Sequence, residues 1–370
     1  MTRVRRIELR LVGLPLVRPF RTSFGEMTRK ACILARVETD EGAGWGECVA
    51  GPEPDFSEEW NEGAWLVLRD LLGPALLRAG DVRIEELESV FGFVRGHPMA
   101  KATLVNGFID AVLRAEGRSL ATFLGSSRDR VECGVSIGIA DSTERLLEQV
   151  AGHLAEGYRR IKVKIRPGTD VERVEAVRAA HPDILLSVDA NAAYTLEDLS
   201  VFRALDAFDL LMVEQPLHHD DLVQHARLQA SIATDVCLDE SIRSAADASA
   251  AIELAACRIV NVKQGRVGGV LEARRVHDAC AARRVPVWCG GMLETGVGRA
   301  TNLALASLPG FTLPGDTSAS ARYFVEDLTE PFSIATDGTM AVPVAPGIGV
   351  DPLPERLEAT TVRVERLEKE

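Results

Sequence analysis

From residue 133 onward, a short apolar run followed by an amphipathic stretch recurs about every 25 residues. No other feature of the chain narrows the choice of fold as much. The runs are CGVSIGI (133–139), IKVKI (161–165), ILLSVDA (184–190), LLMVEQP (210–216), VCLDES (236–241), RIVNVK (258–263), VPVWCGG (285–291) and FTLPGD (311–316). Between them lie segments such as STERLLEQVAGHLAEGY (142–158) and DVERVEAVRAAH (170–181), whose apolar residues fall at helical spacing. Eight strand signals alternating with helices predict a parallel β/α barrel in preference to an open doubly wound sheet. The span of about 185 residues is compact for a barrel, so the last helix is expected to be missing or altered.

Residues 1–130 carry a different pattern. RRIELRLVGLPLV (5–17) and ACILARVETD (31–40) have the composition of strands, EGAGWGE (41–47) is a turn into a third, and helical patterns cover 58–78, 83–94 and 98–115. We expect a separate α+β domain over 1–130, a barrel over 131–324, and a tail from 325 to 370 that returns to the first domain. FSIATDGTMAVP (332–343) and TTVRVERL (360–367) are the tail's strand-like segments, and PVAPGIGVDPLP (343–354) is a loop. At 370 residues, two domains are also the ordinary expectation from length.

The polar residues inside the repeated runs are in phase. Lys164, Asp189, Glu214, Asp239 and Lys263 are spaced by 25, 25, 25 and 24 positions, each at the C-terminal end of its run, where barrel enzymes build their sites. A single acid at a strand end is often a helix cap. Five in phase are not explained that way. Three carboxylates converging from adjacent strands require a cation, and oxygen-only ligands select Mg²⁺ first and Mn²⁺ second, while the lack of histidine argues against zinc. Lys164 and Lys263 come from the strands on either side of the acids. Of the 42 basic residues only six are lysine (Lys30, Lys101, Lys162, Lys164, Lys263 and Lys369), and lysine, unlike arginine, can give up its proton when its surroundings are tuned. A dication facing two amines suits removal of a proton next to a carboxylate and stabilisation of the resulting enediolate. A Schiff-base lysine would have no use for the three acids.

The stretches KVK (162–164), VDAN (188–191), VEQP (213–216), LDES (238–241) and NVKQGRVGG (261–269) together resemble the enolase superfamily, in its muconate-lactonising-enzyme subgroup. GGMLETGVGRATN (290–302), PFRTSFG (19–25), RGHPMAKA (95–102) and GDTSAS (315–320) are similar to its branch of o-succinylbenzoate synthases and N-succinylamino acid racemases. The resemblance implies an N-terminal capping domain over a modified (β/α)₇β barrel. It implies Mg²⁺ on Asp189, Glu214 and Asp239, Lys164 as base on one face and Lys263 as acid/base on the other. Lys162 would lie beside Lys164, adding positive charge near the substrate carboxylate and depressing its neighbour's pKa. Asn191 and Glu240 would support these groups through hydrogen bonds. Apart from the resemblance, Arg266, three residues after Lys263, is either a surface residue or a fixed cation that lowers that lysine's pKa, and we favour the second. Substrate choice would lie with Ser23, Phe24, Phe56, Ser136, Met292, Leu293 and Ser318; for Phe24 and Met292, core packing is the competing reading.

Dipeptide epimerases of the superfamily carry DxD on the last strand, whereas GDTSAS has Asp316 alone; muconate cycloisomerases usually depart from GMLETG. NGFIDAVLRAEGRSL (106–120) lacks the Trp-Asp that usually closes this helix. A substrate with a carboxylate and a succinyl or other acyl arm is expected. A non-catalytic metal-binding scaffold is the alternative from another class.

Other partners find little support. A net charge of −13 disfavours nucleic acid and anionic membranes, and no run approaches a membrane span. The seven cysteines show no CxxC spacing and are expected to be reduced. MTRVRRIELRLVGLPLV suits a first strand better than a signal peptide, so a cytoplasmic location is expected; a homo-oligomer is expected as well. His218 and His219 in LHHDD form a solvated loop on this reading, and GRVGGV is not GxGxxG.

Overall fold

Alternating apolar residues draw Thr2–Arg21 (β1) into a long strand that pairs antiparallel with Glu26–Thr39 (β2), which in turn pairs with Ala43–Cys48 (β3). The computed structural model describes residues 1–22 and 25–369. Helix α1 (Pro98–Ala115) lies across β3 and buries almost its entire length. Glycine makes that approach possible, since a Cβ on Gly44 would stand 2.1 Å from the Ala111 nitrogen and one on Gly46 1.9 Å from the Thr103 oxygen. Asp110 of α1 then accepts from the Trp45 and Ile348 amides, both at 2.7 Å, and from Arg114. One carboxylate thus ties helix, sheet and the 343–354 loop together.

The barrel strands run parallel and in sequence order: Gly134–Ile137 (β4), Arg160–Lys164 (β5), Leu185–Asp189 (β6), Val213–Glu214 (β7), Val236–Leu238 (β8), Ile259–Val262 (β9) and Val287–Cys289 (β10). Helices including Thr143–Ala155, Val270–Ala282 and Gly296–Ala306 connect them. The eighth run departs from expectation. FTLPGD makes only two isolated bridges, Phe311 to Val287 and Gly315 to Cys133, which link the last strand to the first without a ladder. Pro314 has no N–H to donate to one. The result is a (β/α)₇β barrel with an irregular seam, capped by the N-terminal strand-rich domain.

At the C-terminus, Thr361–Glu368 (β11) pairs antiparallel with β1. Of FSIATDGTMAVP, only Thr339–Ala341 is a strand, and it pairs with Arg130–Glu132 and not with the cap sheet. A turn at Asp337–Gly338, with Gly338 at φ +79°, confines it to three residues.

Candidate active site

Strand β5 is buried on both faces. Ile161 and Val163 join the apolar core, while Lys162 and Lys164 alternate with them and point inward. Lys164, Asp189 and Glu214 are the last residues of β5, β6 and β7; Asp239 and Lys263 follow β8 and β9 by one position. The period in the sequence is therefore the period of strand ends around one ring.

Inside the ring Lys162, Lys164, Lys263 and Arg266 each have a carboxylate partner. Lys164 Nζ is 2.6 Å from Asp189 Oδ2 and 2.6 Å from Asn191 Oδ1, and Asn191 Nδ2 donates to Glu240 Oε1 at 3.0 Å. Across the barrel, Lys263 Nζ donates to Asp239 Oδ2 at 2.8 Å and lies 5.0 Å from the centre of the Phe56 ring. Arg266 holds the other oxygen of Asp239 and also donates to the carbonyls of Ile242 and Asn261. Glu214 accepts from Lys162 and from Asn261 Nδ2, each at 2.7 Å.

Lys162 does not sit as a free charge beside Lys164. Its Nζ is 2.7 Å from Glu214 Oε2, 2.7 Å from Asp316 Oδ2 and 3.3 Å from Asp189 Oδ2, over the face of Trp288. Asp316 also holds Arg160, 2.8 Å away, which packs against Trp288 as well. Burial opposes charge on Lys162, but Asp316, Glu214 and Asp189 outweigh it and raise its pKa well above the ordinary lysine value. Lys162 is thus a fixed cation, and it shares Asp189 Oδ2 with Lys164.

The acids respond to their neighbours. Burial works against ionised Asp189, yet Lys164 and Lys162 hold its carboxyl below the usual range. Glu214 is raised, by burial first and by Asp189 second. Glu240 is raised for the same two reasons. The three strand-end acids do not converge as tightly as the spacing suggested. Among the described residues, only His218, His219 and Asp220 bring one ligand atom each within 4.8 Å of one another. Lys162 stands between Asp189 and Glu214, and Lys263 with Arg266 draws Asp239 aside.

A cavity of about 480 Å³ lies between cap and barrel and takes in Lys164, Lys263 and Asn191 from the barrel. Phe56, Met292 and Leu293 line it, as does cap strand β2 around Met27–Ala31. Ser136 and Ser318 do not. Ser318 is fully buried and donates to the Gly134 carbonyl at 3.2 Å, and Ser136 neighbours Lys162 in the strand register, deeper in the barrel. Ser23 and Phe24 lie outside the described residues.

Three participants escape the sequence pattern: Asp316 and Arg160 as the holders of Lys162, and Lys30 on the cavity wall. The arginine-for-lysine bias is the available signal for Lys30, a buried lysine at the head of an apolar run. Asp316 pairs with residues more than 150 positions away, and local pattern carries no trace of that.

These features have counterparts in known proteins. A family model described as enolase C-terminal domain-like matches residues 145–356. An N-succinylamino acid racemase from Amycolatopsis sp. is 56% identical over 360 residues, covering 97% of this chain and 98% of that protein. An o-succinylbenzoate synthase from Geobacillus stearothermophilus is 49% identical, covering 93% and 92%. A crystal structure of an enolase superfamily member from Listeria innocua superposes with a TM-score of 0.95 at 40% identity, covering all of both chains. With a family match over more than half its length and such relatives along nearly all of it, the chain belongs to the enolase C-terminal domain-like family.

Proposed function

We propose that this enzyme abstracts the proton α to a substrate carboxylate, as an o-succinylbenzoate synthase, an N-succinylamino acid racemase, or both. The observation that carries the reading is that Lys164 and Lys263, each paired with a different strand-end acid, line one cavity from opposite sides of the ring.

The donor set fits Mg²⁺, with Mn²⁺ as a substitute. Asp189, Glu214 and Asp239 are all-oxygen ligands exposed by 1% or less, and beside them Glu240 Oε2 is a buried oxygen with no hydrogen-bond partner among the described residues. When bound, the ion would supply positive charge for the substrate carboxylate as it gains electrons. Lys164 takes the α-proton on one face. In racemisation Lys263 returns a proton to the same carbon on the other, and the reverse reaction exchanges their roles. In o-succinylbenzoate synthesis, Lys164 takes the proton, the electron pair forms the new double bond, hydroxide leaves from the neighbouring carbon, and Lys263 remains an ammonium facing the anionic intermediate. Lys162, held by Asp316 and Glu214, keeps a fixed positive charge near the carboxylate end. Asp316 is committed to Lys162 and Arg160, which disfavours a dipeptide epimerase that needs free acids for an ammonium.

The test is solvent exchange. Incubated with an N-succinylamino acid, Mg²⁺ and D₂O, the protein should deuterate the α-carbon. No exchange, together with no dehydration of the cyclohexadiene precursor of o-succinylbenzoate, would overturn the reading. Comparing kcat/KM on the two substrates ranks the activities. We also propose domain limits of 1–130 for the cap and 131–324 for the barrel, with the tail rejoining the cap through β11, and a cytoplasmic homo-oligomer. Among the described residues no helix is long and apolar enough to cross a membrane.

A further inference from the structure

Lys30 is a buried cation that the chemistry above does not use. It is 1% exposed, on cap strand β2, and its Nζ donates to two neutral carbonyls, Val49 O at 3.2 Å and Met292 O at 3.0 Å. An ammonium has three hydrogens to donate, so one is left. Among the described residues no carboxylate stands within 4.0 Å of it. Buried Glu47, on the neighbouring strand, feels the charge of Lys30 without touching it: its oxygens accept from the Thr295 amide and hydroxyl and the Gly298 amide, at the start of the Gly296–Ala306 helix. Burying an ammonium without an anion in contact is costly, and a fold keeps such a group where something compensates it.

The cavity shows what that compensation is. Lys30 lines the same 480 Å³ space as Lys164 and Lys263. Those two already have acid partners, and Arg29, the other cation on this wall, is exposed. Lys30 is therefore the one buried cation on the cavity wall, among the described residues, that lacks a carboxylate partner. It lies on the cap side, away from the strand-end acids. A substrate whose reacting carboxylate faces the barrel and whose arm extends toward the cap would bring a second anionic group to it. The carbonyl of Met292 holds the ammonium in place, and the adjoining Leu293, at φ +55°, turns its loop along the same wall.

We infer that Lys30 anchors the terminal carboxylate of the substrate's acyl arm and so sets the preference for succinyl over neutral acyl groups. This rests on the racemase and synthase reading. The test uses the full-length chain with Mg²⁺ and measures racemisation of one amino acid carrying N-succinyl, its terminal methyl ester, or N-acetyl. Wild type should favour the free succinyl acid over the ester by on the order of tenfold or more in kcat/KM, chiefly through KM. Lys30→Gln should lose that preference, with kcat/KM falling on the order of tenfold more on the free succinyl acid than on the ester or the N-acetyl substrate. Lys30→Arg, which keeps the charge, should retain part of it. Equal losses on all three substrates in Lys30→Gln would overturn the inference and make Lys30 a structural pin for the Met292 loop. If Lys30→Gln does not fold, the wild-type comparison decides: no preference for acid over ester overturns it. Absence of α-proton exchange with every acylamino acid would instead overturn the function reading itself.

Discussion

Asp189 in the barrel and Glu59 in the cap are almost equally withdrawn from water, at 1% and 3% exposure, yet their carboxyls are displaced in opposite directions. Burial raises both. In Asp189 the ammonium groups of Lys164 and Lys162 more than cancel it. Glu59 accepts from the Met99 amide at 2.7 Å and the Ala100 amide at 3.1 Å, at the start of α1, and these leave it raised to about 7. Burial raises Asp110 to about 6 even though Arg114 first and two amides second oppose it. The two amides at Glu59 offset less of the burial cost of a carboxylate than the two ammonium groups do at Asp189. Glu214 lies between the two: Lys162 is in contact with it, but burial and the like charge of Asp189 keep it raised.

The comparison breaks most visibly at the lysines. Lys164→Ala and Lys263→Ala should each lower racemisation by about 10³-fold or more with the fold retained, as read by chiral chromatography and circular dichroism. Near wild-type activity in either would remove the distinction between the two kinds of buried charge. Next in size is Asp316→Asn, which leaves Lys162 and Arg160 short of an anion. Urea unfolding should show a loss of about 3–5 kcal/mol, and an unchanged midpoint would mean that the ring's charges do not depend on one another.

The cap acids sharpen the contrast through pH. Glu59 has a folded-state pKa above its unfolded one, so the folded protein binds the proton more tightly. Its stabilising contribution is complete below about 4.5 and is lost as pH rises through about 7. Relative to Glu59→Gln, wild type should lose stability between pH 5 and pH 8, by up to about 3 kcal/mol. Parallel stability curves would show that the two amides compensate the charge after all. The smallest effect belongs to the loop. His218→Ala and His219→Ala should leave stability within about 0.5 kcal/mol and metal-dependent activity unchanged, because the pair stacks on itself at the surface next to Asp220. A lost metal response would move the ion's site to this loop.

Much of the architecture is legible in the chain. A 25-residue period gives both the strand count and the position of a residue along its strand, so the spacing alone puts Lys164, Asp189, Glu214, Asp239 and Lys263 on one rim. Period says nothing about which side chains meet across the ring. For that reason the sequence places Lys162 beside Lys164 but gives no hint that Asp316, from the irregular eighth segment, holds Lys162 in place. Motif position alone puts Ser136 and Ser318 on the substrate side, whereas Ser136 stands level with Lys162 below the cavity and Ser318 is buried against the Gly134 carbonyl. Lys30 stands out in sequence only as one of six lysines, because its burial depends on a cap strand meeting a barrel loop 262 positions away.

The central claim is that two lysines work on opposite faces of one carbon, and enantiomer-resolved α-hydrogen exchange in D₂O tests it most directly. With Mg²⁺ present, wild type should exchange both enantiomers of an N-succinylamino acid and interconvert them. Lys164→Ala and Lys263→Ala should each stop interconversion and each retain exchange of one enantiomer, not the same one. Interconversion surviving in either variant, or both variants retaining the same enantiomer, would contradict it.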